Sequence, residues 1–384
     1  MKYKIFISVA ILFMFPIGTY FVYGSDISFD AKAAILFEPT TKEILLEQNP
    51  HEKLSPASVT KIMTMLLIYD AISSGKISWD DNVTISSHAA NMGGSQIFLE
   101  EGQTQTVRDL TKSVVIASAN DAAVALAEHI SGTEEGFVNL MNERAKVLGM
   151  ENTNFVNSCG LDAAGHLTTA YDIALMSGEL ITKYPEITET ALVWMDTITH
   201  DTKRGKEEFG LTNTNKLIRS YTGITGLKTG STSQALFCVS ATAKRDELQL
   251  VAVILGSPNS KVRFNEARRL LDYGYANFAL LKGDTENTHA GTIKVHKGKE
   301  DQTDLLVKSQ VNVIVKKGEL TTLDKEIETL DFVNAPITKG TKAGEIIYKS
   351  DGLEVGRADL VISKDIEKAG IGNMFKKILT EWAA

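Results

Sequence analysis

Three short stretches of this chain carry residue types that can do chemistry together. The first is Ser58-Val59-Thr60-Lys61, a serine and a lysine three positions apart. Ser55 and Pro56 suit a helix start, and Ile62, Met63, Met65, Leu66, Leu67 and Ile68 continue it as a largely apolar run. Residues three apart share a helix face, so Lys61 can reach Ser58 Oγ. A lysine held among apolar side chains loses hydration of its charged form, and its pKa falls. It can then accept the serine proton, which activates the serine as a nucleophile. A helix start also puts the Ser58 backbone N–H where it can stabilise an oxyanion. Alone, the pair reads as a capping serine and a surface lysine, and its weight comes from the other two stretches.

The second stretch is Ala117-Ser118-Ala119-Asn120-Asp121, set between helical patterns over residues 107–117 and 122–130. A serine and an asparagine two apart on such a break can face one cavity. The hydroxyl can relay a proton, and the amide can hold a substrate carbonyl. Taken singly it is a helix-capping segment. The third stretch, Gly226-Leu227-Lys228-Thr229-Gly230, precedes apolar runs at 235–241 and 248–255. These runs read as antiparallel strands joined by the charged turn at 244–247. A lysine and a threonine on a strand edge can bind a carboxylate by charge and hydroxyl donation, and Gly230 lets a substrate backbone approach closely. A phosphate-binding loop is excluded because Leu227 stands where that motif needs glycine directly before lysine. His166, in the interruption at 154–169 of a mainly helical region, reads as fixing local hydrogen bonds rather than as a base.

The elements that must position these groups follow from the rest of the chain. At 384 residues there is room for two folded domains, and a net charge of −8 argues against a nucleic-acid partner. The cysteines, Cys159 and Cys238, lie in apolar or small-residue surroundings and read as reduced buried thiols, with one disulfide as the alternative. No Cys/His cluster has metal-ligand spacing, so no metal and no cofactor are expected. Residues 1–24 read as a secretory signal: Lys2 and Lys4, an apolar core at 5–15, and Val22-Tyr23-Gly24 ahead of Ser25. An uncleaved anchor is the alternative, and either places the chain outside the cytoplasm. Residues 33–37 and 44–46 read as strands around a turn, 76–106 as loop-rich, and 262–281 as an amphipathic helix with Arg263 at its start. From about 290 short strands at 292–295, 305–315, 346–348 and 360–362 suggest a separate all-β unit. The end of the chain reads as an amphipathic helix with Ile371, Met374, Phe375, Ile378, Leu379 and Trp382 on one stripe and Lys368, Lys376 and Lys377 beside it. Such a helix suits a membrane surface, and docking onto the β unit is the alternative.

Together and in this order, the three stretches resemble the penicillin-recognising serine transferase superfamily. Residues 56–64, Gly93-Gly94-Ser95-Gln96-Ile97, 118–123, Leu148-Gly149-Met150 and 160–172 narrow the resemblance to low-molecular-mass D-alanyl-D-alanine carboxypeptidases, from about residue 26 to the C-terminus. Position 119, often glycine in that family, is alanine here. The resemblance implies an α+β fold. A serine β-lactamase/transpeptidase-like domain would span 25–285, an all-β sandwich domain 286–365, and an amphipathic helix 366–384. It implies that Ser58 attacks the carbonyl between two terminal D-alanines of a peptidoglycan stem peptide, with Lys61 as base. The N–H groups of Ser58 and Ser231 would form the oxyanion hole. Ser118 and Lys228 would carry a proton to the leaving D-alanine, Asn120 would hold the peptide amide, and Thr229 and Arg263 would bind the terminal carboxylate. β-Lactams would acylate Ser58. The protein would lie on the outer face of the cytoplasmic membrane. The 154–169 loop holds Asp162 and His166 but no glutamate, which favours a peptidase over a β-lactamase. A D,D-endopeptidase and a non-catalytic penicillin sensor are the other readings.

Overall fold

The computed structural model describes residues 27–202, 205–318, 323–350 and 352–372. The expected signal segment lies outside them, as does most of the expected C-terminal helix. At the centre stands a five-stranded antiparallel sheet in the order Glu43–Gln48, Ala33–Glu38, Leu248–Ser257, Leu236–Arg245, Ile224–Thr232. Both its faces are covered. Side chains alternate across a strand, so Ala33, Ile35 and Phe37 enter one core while Ala34 and Leu36 enter the other. Leu248–Ser257 divides in the same way, with Val251, Val253 and Leu255 on one side and Leu250, Ala252 and Ile254 on the other. This two-sided burial explains why these strands read as continuous apolar runs.

One face carries the helices Lys61–Ser73, Val107–Ile116, Asn120–Ser131 and Ala170–Lys183, and the other carries Ser260–Asn277. Lys61–Ser73 is apolar on almost every side, as suits a helix inside a core. Side-chain caps set several starts. Thr106 accepts from the Asp109 N–H, Thr169 from that of Asp172, and Asn259 from those of Lys261 and Val262.

Beyond the helix Ser260–Asn277 the chain turns to strands. A six-stranded sheet runs Asp324–Thr329, Lys342–Ser350, Leu353–Ile362, Gln302–Val307, His289–His296, Phe332–Asn334, around Ile293, Val295, Leu305, Val307, Ile346, Tyr348, Leu360 and Ile362.

Four points differ from the reading of the sequence. The stretch 305–315 is two strands, Gln302–Val307 and Asn312–Lys316, and the second pairs with Phe278–Lys282. Residues 278–281, read from the sequence as the end of the preceding helix, belong to that strand Phe278–Lys282; a short apolar run looks alike in a helix and a buried strand. The hairpin Met195–Thr202 with Gly205–Thr212 was not anticipated, its strands being polar and carrying exposed charges. The Ser58 segment begins as a 3-10 turn, Ala57–Thr60, and the α-helix starts at Lys61. Cys159 and Cys238 are free and buried, as their surroundings suggested.

Candidate active site

Lys61 is fully buried, and its Nζ lies 3.2 Å from Ser58 Oγ, 2.5 Å from Asn120 Oδ1 and 2.7 Å from the Cys159 carbonyl oxygen. Burial lowers its pKa to about 8, against a smaller upward pull from Cys159 and Asp121. A neutral amine has two hydrogens and one lone pair. Asn120 Oδ1 and the Cys159 carbonyl can take the hydrogens, which leaves the lone pair for the Ser58 proton. The second lysine, Lys228, is also buried and donates to the Thr229 carbonyl oxygen at 3.2 Å. Burial, then the charges of Lys61 and Arg263, push its pKa well below the usual lysine value. Two ammonium groups so close and so dry disfavour each other, so the pair suits proton transfer.

Ser118 breaks the chain between two helices. Its φ is +63°, and its buried Oγ has no hydrogen-bond partner among the described residues. Asn120 is held at both ends of its amide. Oδ1 accepts from Lys61, Nδ2 donates to the Gly93 carbonyl oxygen at 2.6 Å, and its backbone N–H donates to Ser95 at 2.7 Å. One lone pair and one hydrogen of that amide remain for a substrate. Next to it, the Asp121 carboxylate accepts from the N–H groups of Ile97 and Leu99 and so grips the segment carrying Gly93 and Ser95.

The strand Ile224–Thr232 closes the opposite wall. A Cβ added at Gly230 would stand 2.8 Å from the Ser58 nitrogen and 2.9 Å from Ala57 Cβ, so only glycine lets this strand lie against the Ser58 turn. Thr229 Oγ1 donates to Thr214 Oγ1 at 2.7 Å. Arg263 sits behind the strand. Its guanidinium donates to the carbonyl oxygens of Gly230 and Cys238, both at 3.1 Å, and to Ser260 Oγ at 3.2 Å. Burial lowers its pKa to about 10. Ser231 follows Gly230 in the same strand, opposite Phe237.

The 154–169 segment forms the floor. Besides the Cys159 carbonyl it brings Gly160 against Ala57, and Asp162 accepts from Thr232 Oγ1 at 2.7 Å. His166 Nδ1 accepts from the Val156 N–H at 3.1 Å. The ring proton therefore sits on Nε2, which donates to Thr60 Oγ1 at 2.9 Å. This is the local bonding expected of His166.

The structure thus joins Ser58, Lys61 and Asn120 directly, packs Gly230 against the Ser58 turn with Lys228 near enough for the two lysine charges to interact, and sets Arg263 behind the strand that carries Lys228, Thr229, Gly230 and Ser231, while Ser118 lies two residues before Asn120. Sequence reasoning missed Thr214 and the carbonyls of Cys159 and Gly93. A backbone carbonyl has no residue signature, and Thr214 lies in a segment where no motif pointed.

Two family descriptions match the chain. Residues 22–259 match the D-alanyl-D-alanine carboxypeptidase family, and 277–368 match the C-terminal domain of penicillin-binding protein 5. The D-alanyl-D-alanine carboxypeptidase DacF of Bacillus subtilis is 41% identical over 359 residues, covering 93% of this chain and 91% of its own. Among solved structures, penicillin binding protein 5 from Haemophilus influenzae superposes with a TM-score of 0.78 at 30% identity, over 90% of this chain and 100% of its own. Penicillin-binding protein D2 from Listeria monocytogenes, in an ampicillin-bound form, gives 0.58 at 32% identity, over 66% of this chain and 100% of its own. The chain belongs to the D-alanyl-D-alanine carboxypeptidase family, and its activity is that of a serine-type, penicillin-binding D-Ala-D-Ala carboxypeptidase.

Proposed function

We propose that Ser58 is the nucleophile, Lys61 its base, and a peptidoglycan stem pentapeptide the substrate. The observation that carries this is the buried Lys61 amine beside Ser58 Oγ, with two other acceptors already placed for its hydrogens. The Ser58 proton passes to Lys61 as Oγ bonds to the carbonyl carbon of the penultimate D-alanine. The oxyanion is received by the N–H groups of Ser58 and Ser231. The C–N bond then breaks, and Ser118 with Lys228 delivers a proton to the leaving amine. Water hydrolyses the ester and frees Ser58. Asn120 positions both Lys61 and the substrate amide. Thr229 lies at the end of the cleft that takes the terminal carboxylate, and Arg263 steadies the Gly230 strand from behind.

A β-lactam would acylate Ser58 by the same attack and leave slowly. The Asp162 and His166 side chains of the 154–169 loop are already bonded, Asp162 to Thr232 and His166 to Thr60 and Val156, so neither is placed to activate water.

The division into a signal at 1–24, a catalytic domain at 25–285, a β domain at 286–365 and an anchoring helix at 366–384 belongs to the same proposal. So does attachment to the outer face of the cytoplasmic membrane. No helix among the described residues is long and apolar enough to cross a membrane, and the attachment proposed is through the amphipathic end. Removing 366–384 should release the protein from membranes with its activity intact, and persistent sedimentation with membranes would refute this.

The deciding experiment is intact mass after exposure to benzylpenicillin, wild type beside Ser58→Ala, with D-alanine release from a pentapeptide. A stoichiometric adduct and D-alanine release, both lost in the variant, are expected. An adduct that persists in Ser58→Ala would overturn the assignment of the nucleophile.

A further inference from the structure

We propose that Thr214 is a further substrate-binding residue, whose hydroxyl donates to the terminal carboxylate of the D-alanine that leaves, with Thr229 holding that hydroxyl in place. The inference rests on the reading of the reaction given above and adds a residue to it.

Thr214 lies between two anchored asparagines. Asn213 is buried and donates through Nδ2 to the carbonyls of Ala191 and Val193, at 3.0 and 2.8 Å. Asn215 is buried and donates to the Gly226 carbonyl at 3.1 Å, while its own N–H goes to Asn213 Oδ1. Its Oδ1 accepts from the Leu217 N–H and starts the short turn Lys216–Arg219. With both neighbours committed to the interior, the threonine between them is presented to the Lys228-Thr229-Gly230 strand.

With the Thr229 hydroxyl donating to Thr214, the Thr214 proton is the one left for a substrate acceptor. A hydroxyl has one proton, and that of Thr229 points to Thr214 Oγ1. A carboxylate only accepts, so it needs a proton that is still free. Among the described residues Thr214 gives its own proton to no protein acceptor. Thr214 is also the more accessible of the two, half-buried where Thr229 is only 5% exposed. Arg263 does not compete for this role, since its terminal nitrogens are engaged with Gly230, Cys238 and Ser260. The carboxylate therefore meets the Thr214 hydroxyl beside a buried lysine.

The test compares wild type, Thr214→Val, Thr214→Ala and Thr214→Ser on an acyl-D-Ala-D-Ala peptide and on the same peptide ending in D-alaninamide. Loss of a hydrogen bond to a charged group should cut kcat/KM on the acid by about tenfold or more in Val and Ala, mainly through KM. Serine should restore it. On the amide, whose carbonyl still accepts but carries no charge, the loss should be several-fold smaller. Equal kcat/KM for Ala and wild type on the acid would overturn the proposal, as would equal losses on acid and amide. Ala serves if Val misfolds, because it introduces no bulk. Wild type reports separately on the underlying reaction: if it releases no D-alanine, that reading fails, whereas release by wild type and variants alike refutes Thr214 alone.

Discussion

Thr60 and His166 lie 106 positions apart and are joined by a 2.9 Å hydrogen bond between Oγ1 and Nε2. Thr60 belongs to the turn that carries Ser58, and His166 to the loop that supplies the Cys159 carbonyl to Lys61. One imidazole therefore ties the nucleophile's turn to the floor of the cleft, and its second bond, to Val156, requires the neutral ring. A proton on Nδ1 would remove the acceptor that the Val156 N–H uses.

The burial of this ring makes stability depend on acid. Burial lowers the His166 pKa from 6.5 to about 4, so as pH falls the unfolded chain takes up the proton first. Between those values the unfolded state binds more protons, and stability declines as pH is lowered. At about 1.4 kcal/mol per pKa unit the loss is about 3 kcal/mol at most. In His166→Gln the amide can accept from Val156 and donate to Thr60 without titrating. Urea midpoints at about pH 7.5 and about pH 4.5 should show a larger acid loss in wild type than in this variant. Equal losses would mean that His166 is not the group responsible.

Acylation should follow the ionisation of Lys61. The amine accepts the Ser58 proton only when neutral, so the rate of benzylpenicillin acylation should climb with pH and level off above about 8. Lys61→Arg keeps the positive charge and removes a usable lone pair, so it should slow acylation by about 100-fold or more. A rate in wild type that is flat from about pH 6 to about pH 10 would exclude Lys61 as the base.

Gly160 should tolerate no side chain. A Cβ there would stand 1.9 Å from the Ala57 carbonyl oxygen and 2.9 Å from Thr60 Oγ1, and Ala57 adjoins Ser58. Gly160→Ala should therefore displace the Ser58 turn, costing about 2 kcal/mol or more of stability and most of the acylation rate. Gly165→Ala is the control. Its φ of +81° is similar, but the nearest atom to an added Cβ is Asn154 Nδ2 at 3.8 Å. It should show only the backbone cost of about 1 kcal/mol, with acylation unchanged. If both variants acylate like wild type, Gly160 does not set the position of Ser58.

The candidate residues that lie in short local motifs were legible in the sequence. Ser58 and Lys61, Ser118 and Asn120, and Lys228 to Gly230 are local groups, each brought together by one turn of helix, one break or one strand. The central strands were legible too, since burial on both faces demands unbroken apolar runs such as 248–255. Tertiary structure decided what those side chains touch. Asn120 and the Cys159 carbonyl take up the Lys61 hydrogens across 59 and 98 positions of chain, and a carbonyl is the same group in every residue. Arg263, expected at the carboxylate, turns to the carbonyls of Gly230 and Cys238, because the helix that begins at Ser260 passes behind the strand pair. Thr214 reaches the cleft only because the polar hairpin and its two asparagines deliver it there. Local pattern sets which chemistry is possible, whereas partners distant in sequence are chosen by packing.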